Sequence, residues 1–243
     1  TVFNFGNSNL FSCGRFNGCC IGIPPILLSI SLNNDSYILD TACSEKLAKL
    51  LVLLRTNIED TDCIGILLDE ENCTDKVEKL CHQFLVPDND SFRLIYGNLN
   101  NDFSAFKNLG YHLFEDCDWI FNIDADELPS SLLIQNIKQI INLNPDTELI
   151  YVPRINTVEG LTQEHINKWK WVVNDDGWIN WPDYQGRIYK RSPMIEWKGN
   201  VHEKIEGMKG YSHLPPKEEF AFHHPKTIER QEKQNNYYQT ING

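Results

Sequence analysis

The eight cysteines of this chain form no C-x-x-C pair and no Cys/His cluster, which excludes zinc-ribbon and thioredoxin-like folds. They are Cys13, Cys19, Cys20, Cys43, Cys63, Cys73, Cys81 and Cys117. Several stand inside apolar runs, where a free thiol behaves as a small buried hydrophobic side chain. The pattern favours a reducing compartment, and we expect a cytoplasmic location.

Long apolar runs are also absent. The longest candidate, Ile21 to Ile30, contains two prolines and is shorter than the roughly 18 apolar residues of a membrane-spanning helix. We therefore expect no membrane span in this chain. The first residue is Thr1 rather than Met, which is typical of a domain excised from a larger protein.

Positive charge is scarce. The chain has 22 Lys and Arg residues against 34 Asp and Glu residues, a formal net charge of -12. Nucleic-acid affinity comes largely from neutralisation of phosphates by Lys and Arg, so a nucleic-acid partner is not expected. An anionic ligand would need a metal ion or a local cluster of cations.

Apolar runs and helical patterns alternate through the first half of the chain. The predicted strands are Ile26–Leu32, Cys63–Leu68, Phe92–Tyr96 and Trp119–Ile123. The first predicted helix has Ser44 as its N-cap and turns Leu47, Leu50, Leu51 and Leu54 inward. Two further helices are predicted, across Val77 to Phe84 and over Phe103–Phe114. Strands that are apolar throughout and alternate with helices predict an α/β fold with a mainly parallel central sheet covered on both faces.

The second half has a different pattern. A helix is predicted over Leu132–Ile141 and a strand over residues 148–153, followed by aromatic, turn-rich segments that hold five of the six tryptophans. This composition predicts a smaller mixed β region that contacts a ligand. Trp178, Trp181 and Trp197 either line a sugar groove or pack in the core. Residues 1–25 have little periodicity and predict a loop-rich lead-in.

Acidic and amide residues follow three of the predicted strands. They are Asn34 and Asp35, Asp69 and Glu70, and Asp124, Asp126 and Glu127. Ligands of open α/β sheets bind beyond the carboxyl ends of the strands, and paired carboxylates there suit Mn²⁺ or Mg²⁺. The alternative is a solvated loop that caps the next helix. A metal ion would also allow an acidic protein to bind a diphosphate.

The segment D-W-I-F-N-I-D-A-D-E-L, preceded by N-D-F-S-A-F-K-N-L-G, resembles the central block of family 2 glycosyltransferases with the GT-A fold. Two further segments extend the likeness. L-L-D-E-E-N-C-T-D-K resembles the family's nucleotide-binding turn without its glycine, and Q-G-R-I-Y-K-R with G-N-V-H-E-K resembles its downstream block. The resemblance covers about residues 26 to 206.

The resemblance implies a metal-dependent transfer of a sugar from a nucleotide-diphosphate donor, UDP-linked in our expectation, to an acceptor hydroxyl with inversion. Asp124 and Asp126 would hold Mn²⁺ or Mg²⁺ at the diphosphate. The other implied donor-binding residues are Asn34, Asp35, Asp69, Lys107, Arg187 and His202. A metal ion and a cation would neutralise the charge that develops on the leaving group.

The acceptor hydroxyl needs a general base. Glu203 is the first candidate, followed by Glu127 and Asp183, and the alternative for Glu203 is a surface pair with Lys204 or Lys198.

A late histidine often completes the metal site of GT-A enzymes, which makes His223 and His224 candidate ligands, delivered by the strand-like F-A-F before them. The alternative is a turn before Pro225. His202 is either a metal or phosphate contact or a structural histidine.

The sequence thus predicts one catalytic domain over residues 1–243, with a nucleotide-sugar-binding half at 26–127 and an acceptor-binding half at 128–243. The expected partners are a nucleotide-sugar donor and a glycan or protein acceptor. Two other functions remain open: a nucleotidyltransferase or sugar-nucleotide pyrophosphorylase, and a non-catalytic glycan- or nucleotide-binding module of the same fold. A nucleotidyltransferase or pyrophosphorylase normally has a glycine-rich, basic turn after its first strand. The corresponding segment here, S-L-N-N-D-S, has neither glycine nor a basic residue.

Overall fold

The computed structural model describes residues 26–32, 40–59, 61–84, 91–199 and 203–242. The strands are β1 (Ile26–Leu32), β2 (Cys63–Asp69), β3 (Phe92–Gly97), β4 (Trp119–Asp124), β5 (Leu128–Pro129), β6 (Leu149–Glu159), β7 (Ile179–Lys190), β8 (Glu196–Lys198), β9 (Lys204–Glu206), β10 (Tyr211–His213) and β11 (Phe222–Thr227). The helices are α1 (Asp40–Asn57), α2 (Asp75–Phe84), α3 (Phe103–Asn108), α4 (Ser131–Asn142), α5 (Gln163–Trp169) and α6 (Ile228–Asn242). The predicted lead-in at 1–25 and the candidates Asn34, Asp35 and His202 lie outside the described residues.

Nine strands of the described chain form one sheet, with the order β3-β2-β1-β4-β7-β6-β11-β5 and β10 paired to β6. The first four run parallel, β7 is antiparallel to both of its neighbours, and β11 is parallel to β6. The register aligns Ser31 with Asp124 and Asp69 with Gly97, so the carboxyl ends of these strands meet at one edge. This arrangement confirms the predicted α/β class with a mainly parallel central sheet.

Helices cover both faces of the parallel part of the sheet. Leu47, Leu50 and Leu54 of α1 pack with Phe121 of β4 on one face, as the leucine spacing predicts. Phe106 of α3 packs with a second set on the other face. Because successive strand side chains point to opposite faces, a strand covered on both sides is apolar at nearly every position.

Two helices differ from their predicted bounds by more than two residues at one end. α1 begins at Asp40, and Ser44 is a buried residue within it rather than its N-cap. α3 ends at Asn108 and continues as a 3-10 turn over Leu109–His112. That turn packs closely on β1, because a Cβ atom at Gly110 would lie 2.7 Å from Ser29 Oγ.

The mixed β region of the second half also differs in detail. The strand predicted at 148–153 extends to Glu159, and β7 pairs along most of its length. Of the strand-like F-A-F before the histidine pair, only Phe222 lies in a strand: Glu218–Phe220 is a 3-10 turn, and β11 holds Phe222 and both histidines. The alternative of a turn before Pro225 is wrong, because Pro225 lies within β11. Pairing of β11 with β6 starts only at Phe222 and fixes this boundary.

No helix in the described ranges has the length and apolarity needed to cross a membrane.

Candidate active site

A cleft of about 480 Å³ opens at the carboxyl edge of β4, between α3, β6, β7, β11 and α6. Eight of the residues singled out in the sequence line it: Lys107, Asp124, Asp126, Asp183, Arg187, Trp197, Glu203 and His224. The fold therefore brings together groups that are up to 117 positions apart in the chain, from Lys107 to His224. Glu127, Asp69 and His223 are not among the residues that line this cleft.

The acidic turn after β4 is not a solvated loop. Asp126 and Glu127 are 7% and 1% exposed, and the turn is closed by a hydrogen bond from the Glu127 amide to the Asp124 carbonyl oxygen at 2.9 Å. The cap of the following helix is Ser130, whose Oγ accepts a hydrogen bond from the Leu133 amide at 3.0 Å. The carboxylates are thus free of the capping role that was the alternative interpretation.

Asp124 lies between two cations. Lys107 Nζ is 3.0 Å from its Oδ1 atom, and Arg187 Nη2 is 2.7 Å from its Oδ2 atom. Burial on its own would raise the pKa of Asp124, but Arg187 and Lys107 outweigh it and hold the pKa below its ordinary value. Asp124 is therefore ionised throughout the physiological range.

Glu127 is held by two guanidinium groups. Its Oε1 atom accepts hydrogen bonds from Arg187 Nη2 at 2.6 Å and Arg154 Nη1 at 3.0 Å, and its Oε2 atom accepts from the Asp124 amide at 3.3 Å. With 1% exposure it has no path to a substrate hydroxyl. This placement suits a residue that fixes Asp124 and Arg187 better than a general base.

Asp183 lines the cleft with both carboxylate oxygens engaged. Oδ2 accepts from Arg154 Nε and Nη2, at 2.9 and 2.7 Å, and from Asn156 Nδ2 at 2.8 Å, while Oδ1 accepts from Gln185 Nε2 at 2.8 Å. Burial favours a higher pKa, but Arg154 and the two amides keep the pKa of Asp183 below its ordinary value. A carboxylate stabilised in this way is a weak proton acceptor.

Glu203 also lines the cleft and has a different partner from those considered in the sequence. Its Oε1 atom lies 2.7 Å from Lys107 Nζ, whereas Lys198 pairs with Glu196 and Glu206 on the β8–β9 hairpin. Oε2 has no hydrogen-bond partner in the described part of the chain. Among the described residues, Oε2 is thus the Glu203 oxygen that has no hydrogen bond.

Lys107 lines the cleft and forms ion pairs with both Asp124 and Glu203. It is 3% exposed, and its Nζ atom lies 4.6 Å from the centroid of the Trp197 ring. Burial favours a lower pKa, but Asp124 and Glu203 outweigh it, so the pKa of Lys107 is raised and the side chain stays charged. The neighbouring Asn108 fixes the same region, because its side chain bonds the Trp197 carbonyl oxygen and amide at 3.0 and 2.9 Å.

Asp126 and His224 form the second half of the site. His224 Nε2 lies 3.0 Å from Asp126 Oδ2, and His224 Nδ1 lies 2.8 Å from Asn156 Oδ1. The orientation of Asn156 follows from its Nδ2 group, which donates to Asp183. Burial and the nearby Lys226 lower the pKa of His224 to about 3, so the ring is neutral and has one N–H group facing two acceptor oxygens.

This hydrogen-bond pattern bears on metal binding. If the His224 N–H donates to Asn156, a lone pair on Nε2 faces a carboxylate oxygen, an arrangement that a cation between them would stabilise. Adjacent ligands of an octahedral ion at about 2.1 Å lie about 3 Å apart, and the observed separation is 3.0 Å. The described residues contain no group of three or more His, Cys, Asp or Glu side chains placed to hold a metal ion. Mg²⁺ commonly takes only one or two protein ligands and completes its shell with phosphate oxygens and water. The Asp126–His224 pair would suit such an ion if Arg230 Nη2, which lies 2.7 Å from the same Asp126 oxygen, moved away from it.

Two other predicted residues lie elsewhere. The side chain of His223 is 41% exposed, and its nearest carboxylate is Glu218 at 3.8 Å, because neighbouring residues of a strand face opposite sides. Asp69 is fully buried and accepts hydrogen bonds from the Leu99 amide at 3.2 Å and Asn72 Nδ2 at 2.6 Å. Asp69 thus ties the turn after β2 to the loop before α3.

Arg154 and Asn156 are site residues that the sequence interpretation missed. They stand two apart in the middle of β6, within the otherwise apolar run Y-V-P-R-I-N, and both reach Asp183. Polar residues that interrupt an apolar strand are the signal that could have identified them.

No family model matches the chain, and no curated protein matches it. Among solved structures, it is similar to S. aureus TarS, with a TM-score of 0.52 and 12% identity, covering 84% of this chain and 37% of that one. For a structure of TarS residues 1–349 the TM-score is also 0.52 at 12% identity, with 83% and 60% of the two chains covered. Mouse xyloside xylosyltransferase 1 matches at a TM-score of 0.36 and 11% identity, over 54% of this chain and 53% of that one.

These identities show the fold alone. The mixed α/β architecture, with a mostly parallel central sheet and helices, is similar to that of the TarS structures. The chain covers 37% of the TarS chain and 60% of the TarS 1–349 chain, less than two thirds of each.

Proposed function

We propose that this chain is a glycosyltransferase that moves a sugar from a nucleotide-diphosphate donor to an acceptor hydroxyl. The observation that carries the proposal is the single cleft at the carboxyl edge of β4, which gathers Asp124, Asp126, Lys107, Glu203 and His224. Ligands of this sheet type bind at that edge, and the paired carboxylates and cations suit a diphosphate group better than a neutral ligand. The similarity of the fold to GT-A structures is consistent with this class of reaction.

Asp126 and His224 are the residues that would hold a divalent cation, Mn²⁺ or Mg²⁺. The cation would neutralise the charge that develops on the departing nucleoside diphosphate. UDP is our preferred nucleotide, as the family resemblance implies.

Glu203 is the proposed general base. In an inverting transfer the acceptor oxygen bonds to the anomeric carbon while the bond to the diphosphate oxygen breaks, and the hydroxyl proton passes to Glu203 Oε2. The electron pair leaves with the diphosphate. Lys107 holds Oε1 of Glu203 at 2.7 Å and so fixes the direction of Oε2.

The remaining charged residues position the reacting groups. Arg187 bonds both Asp124 and Glu127, at 2.7 and 2.6 Å, and Arg154 bonds both Glu127 and Asp183. Among these carboxylates, Asp124 and Asp183 keep their charge, because the neighbouring cations hold the pKa of each below its ordinary value. The contacts hold Asp124 in place without flexible surface groups.

The test is a donor screen. The protein is incubated with Mn²⁺ and UDP-glucose, UDP-galactose, UDP-N-acetylglucosamine and GDP-mannose, and the release of free sugar and nucleoside diphosphate is measured. We expect slow hydrolysis of at least one donor, abolished in Asp126→Ala and retained in the control Asp116→Ala, an exposed residue outside the cleft. Nucleotide binding without release of sugar would instead favour a non-catalytic module, and pyrophosphate release from a nucleoside triphosphate with a sugar phosphate would favour a nucleotidyltransferase.

A further inference from the structure

Residues 169–181 form a tryptophan-rich turn and hairpin between α5 and β7, which we call the aromatic hairpin. Its arms pair at Val173 and Ile179 and between Val172 and Asn180, where the Asn180 amide donates to the Val172 carbonyl oxygen at 2.7 Å. Its tip is closed by Asn174, whose Oδ1 atom accepts from the Trp178 amide at 2.8 Å. The hairpin is therefore held by its own hydrogen bonds.

Four tryptophans on the aromatic hairpin are only partly buried. Trp169 and Trp171 are in contact with ring centroids 4.6 Å apart, and the Trp178 and Trp181 rings are 4.9 Å apart. The other two tryptophans of the chain, Trp119 and Trp197, are 7% and 5% exposed, as core residues are. A cluster of large aromatic side chains left partly in water is typical of a binding surface.

The aromatic hairpin is continuous with the catalytic cleft. Trp171, Ile179 and Asn180 line the same cleft as Glu203 and Asp126. In the sheet order β3-β2-β1-β4-β7-β6, the hairpin leads into β7, on the side of β4 away from β1 and β2. A nucleotide held where β1 and β2 end would leave the hairpin side for the second substrate.

Asn180 provides a polar group at the point where the aromatic hairpin meets the cleft. Its backbone is left-handed, with φ of 53°, and its Oδ1 atom accepts from the Val172 amide at 3.0 Å. The Asn180 Nδ2 group has no partner within the described residues and is left to donate to a ligand. Lys170, Asp175 and Asp176 are exposed on the same hairpin.

We infer that the aromatic hairpin binds a saccharide, the acceptor end of the reaction, an inference that rests on the proposed glycosyl transfer. A pyranose ring has an apolar C–H face that stacks on an aromatic ring and a rim of hydroxyls that bonds amides and carboxylates, which matches Trp171 beside Asn180. A lipid chain would remove water from Asn180 and the charged residues without replacing their hydrogen bonds. The acceptor class is therefore a glycan or glycoside.

The experiment measures saccharide binding directly. Methyl glycosides of glucose, galactose, N-acetylglucosamine and mannose, with the β-linked disaccharides of each, are tested by saturation-transfer NMR on the full chain with UDP and Mg²⁺, since paramagnetic Mn²⁺ would broaden the saccharide resonances. We expect saturation transfer from the protein to the ring C–H protons of at least one saccharide. In Trp171→Ala the Kd for that saccharide should rise about tenfold, a larger effect than any change in the rate of donor hydrolysis. Trp171→Phe keeps an aromatic face and should lose less than about threefold. The matched control is Val172→Ala, which removes a 72% exposed side chain of the same hairpin that does not line the cleft, and should bind as the natural chain does.

The outcomes separate this inference from the proposed function. Donor hydrolysis without binding of any of these saccharides, or with equal binding by Trp171→Ala and Val172→Ala, overturns the inference and leaves the transferase proposal standing. Saccharide binding that depends on Trp171, without hydrolysis of any donor, supports the aromatic hairpin and overturns the transferase proposal. Absence of both overturns both.

Discussion

Arg230 Nη2 lies 2.7 Å from Asp126 Oδ2, the same carboxylate oxygen that faces His224 at 3.0 Å. Asp126 and Arg230 are 104 positions apart in the chain and meet because α6 follows β11 directly and packs against it. Burial favours a higher pKa for Asp126, but His224 and Arg230 outweigh it and keep the pKa well below its ordinary value. Arg230 therefore contacts the oxygen that a metal ion would bind.

Removal of Arg230 should strengthen metal binding when no nucleotide is present. In Arg230→Gln the competing cation is lost, and we expect Mn²⁺ to bind roughly tenfold more tightly, since a hydrogen bond to a charged group contributes about 1.5 kcal/mol or more. Free Mn²⁺ can be counted by electron paramagnetic resonance during a titration. Arg191→Gln is the matched control, because Arg191 bonds the carbonyl oxygens of Tyr111 and Glu115 and does not line the cleft. An unchanged Mn²⁺ affinity in Arg230→Gln would count against Asp126 as a metal ligand.

Substitution of Glu127 should mainly lower the stability of the fold, whereas substitution of Glu203 should mainly slow turnover. Glu127→Gln leaves Arg154 and Arg187 short of a buried counter-charge, and we expect it to lower the free energy of unfolding by about 2 to 4 kcal/mol. Glu203→Gln should instead slow donor hydrolysis at least about 100-fold and change stability by less than about 1 kcal/mol. Urea unfolding and the hydrolysis assay, run on both variants, give the comparison.

The reverse result would exchange the two roles. If Glu127→Gln stopped hydrolysis at unchanged stability while Glu203→Gln remained active, Glu127 would be the base despite its burial. In that case the Lys107–Glu203 contact would be structural only.

The central strands were predictable because their signal is local. β1 has the bounds Ile26–Leu32 in the sequence interpretation and in the structure, and β4 differs by one residue at its end. β4 is buried at every position but its last, and Ser29 and Ile30 of β1 are buried although neighbouring strand residues face opposite sides, so the apolar signal is nearly continuous. The position of the Asp124–Asp126 turn at the ligand edge follows from that strand alone, which is why the acidic half of the site could also be predicted.

The partners of those carboxylates could not be predicted, because they depend on how distant strands pair. Lys107 meets Glu203 only after α3 packs beside β8, and Arg154 meets Asp183 because β6 and β7 align those two residues as direct partners. Nothing in the local sequence fixes either register. The histidine pair shows the same limit: which of His223 and His224 faces the cleft depends on the pairing of β11 with β6.

Lys107 should be needed for both stability and turnover. Lys107→Met leaves Asp124 with Arg187 as its remaining cationic partner and removes the group that orients Glu203. We expect a loss of about 2 to 4 kcal/mol in the free energy of unfolding and donor hydrolysis slowed at least about 100-fold. The matched control is Lys190→Met, an exposed lysine outside the cleft, which should change neither measurement.

A double-mutant cycle sharpens the Lys107 prediction. If Lys107 acts on turnover through Glu203, Lys107→Met combined with Glu203→Gln should be little slower than the slower single variant. Additive losses in hydrolysis rate would mean that Lys107 acts independently of Glu203, for instance on the donor.

Asp183 should make stability depend on pH in the acid range. The pKa of Asp183 in the folded chain lies below its ordinary value of 3.8, because Arg154, Asn156 and Gln185 outweigh the effect of burial. A lowered folded pKa gives stability that is fully present above about pH 4 to 5 and lost as the pH falls through 3.8 towards the folded pKa, since the unfolded chain then binds the proton first. Asp183→Asn lacks this contribution, so the difference in unfolding free energy between it and the natural chain should be largest near pH 7 and shrink below pH 4. Urea unfolding at several pH values measures that difference, with Asp175→Asn as the exposed control. A difference that stays constant from pH 7 to 3 would mean that the Arg154–Asp183 pair contributes nothing through its charge.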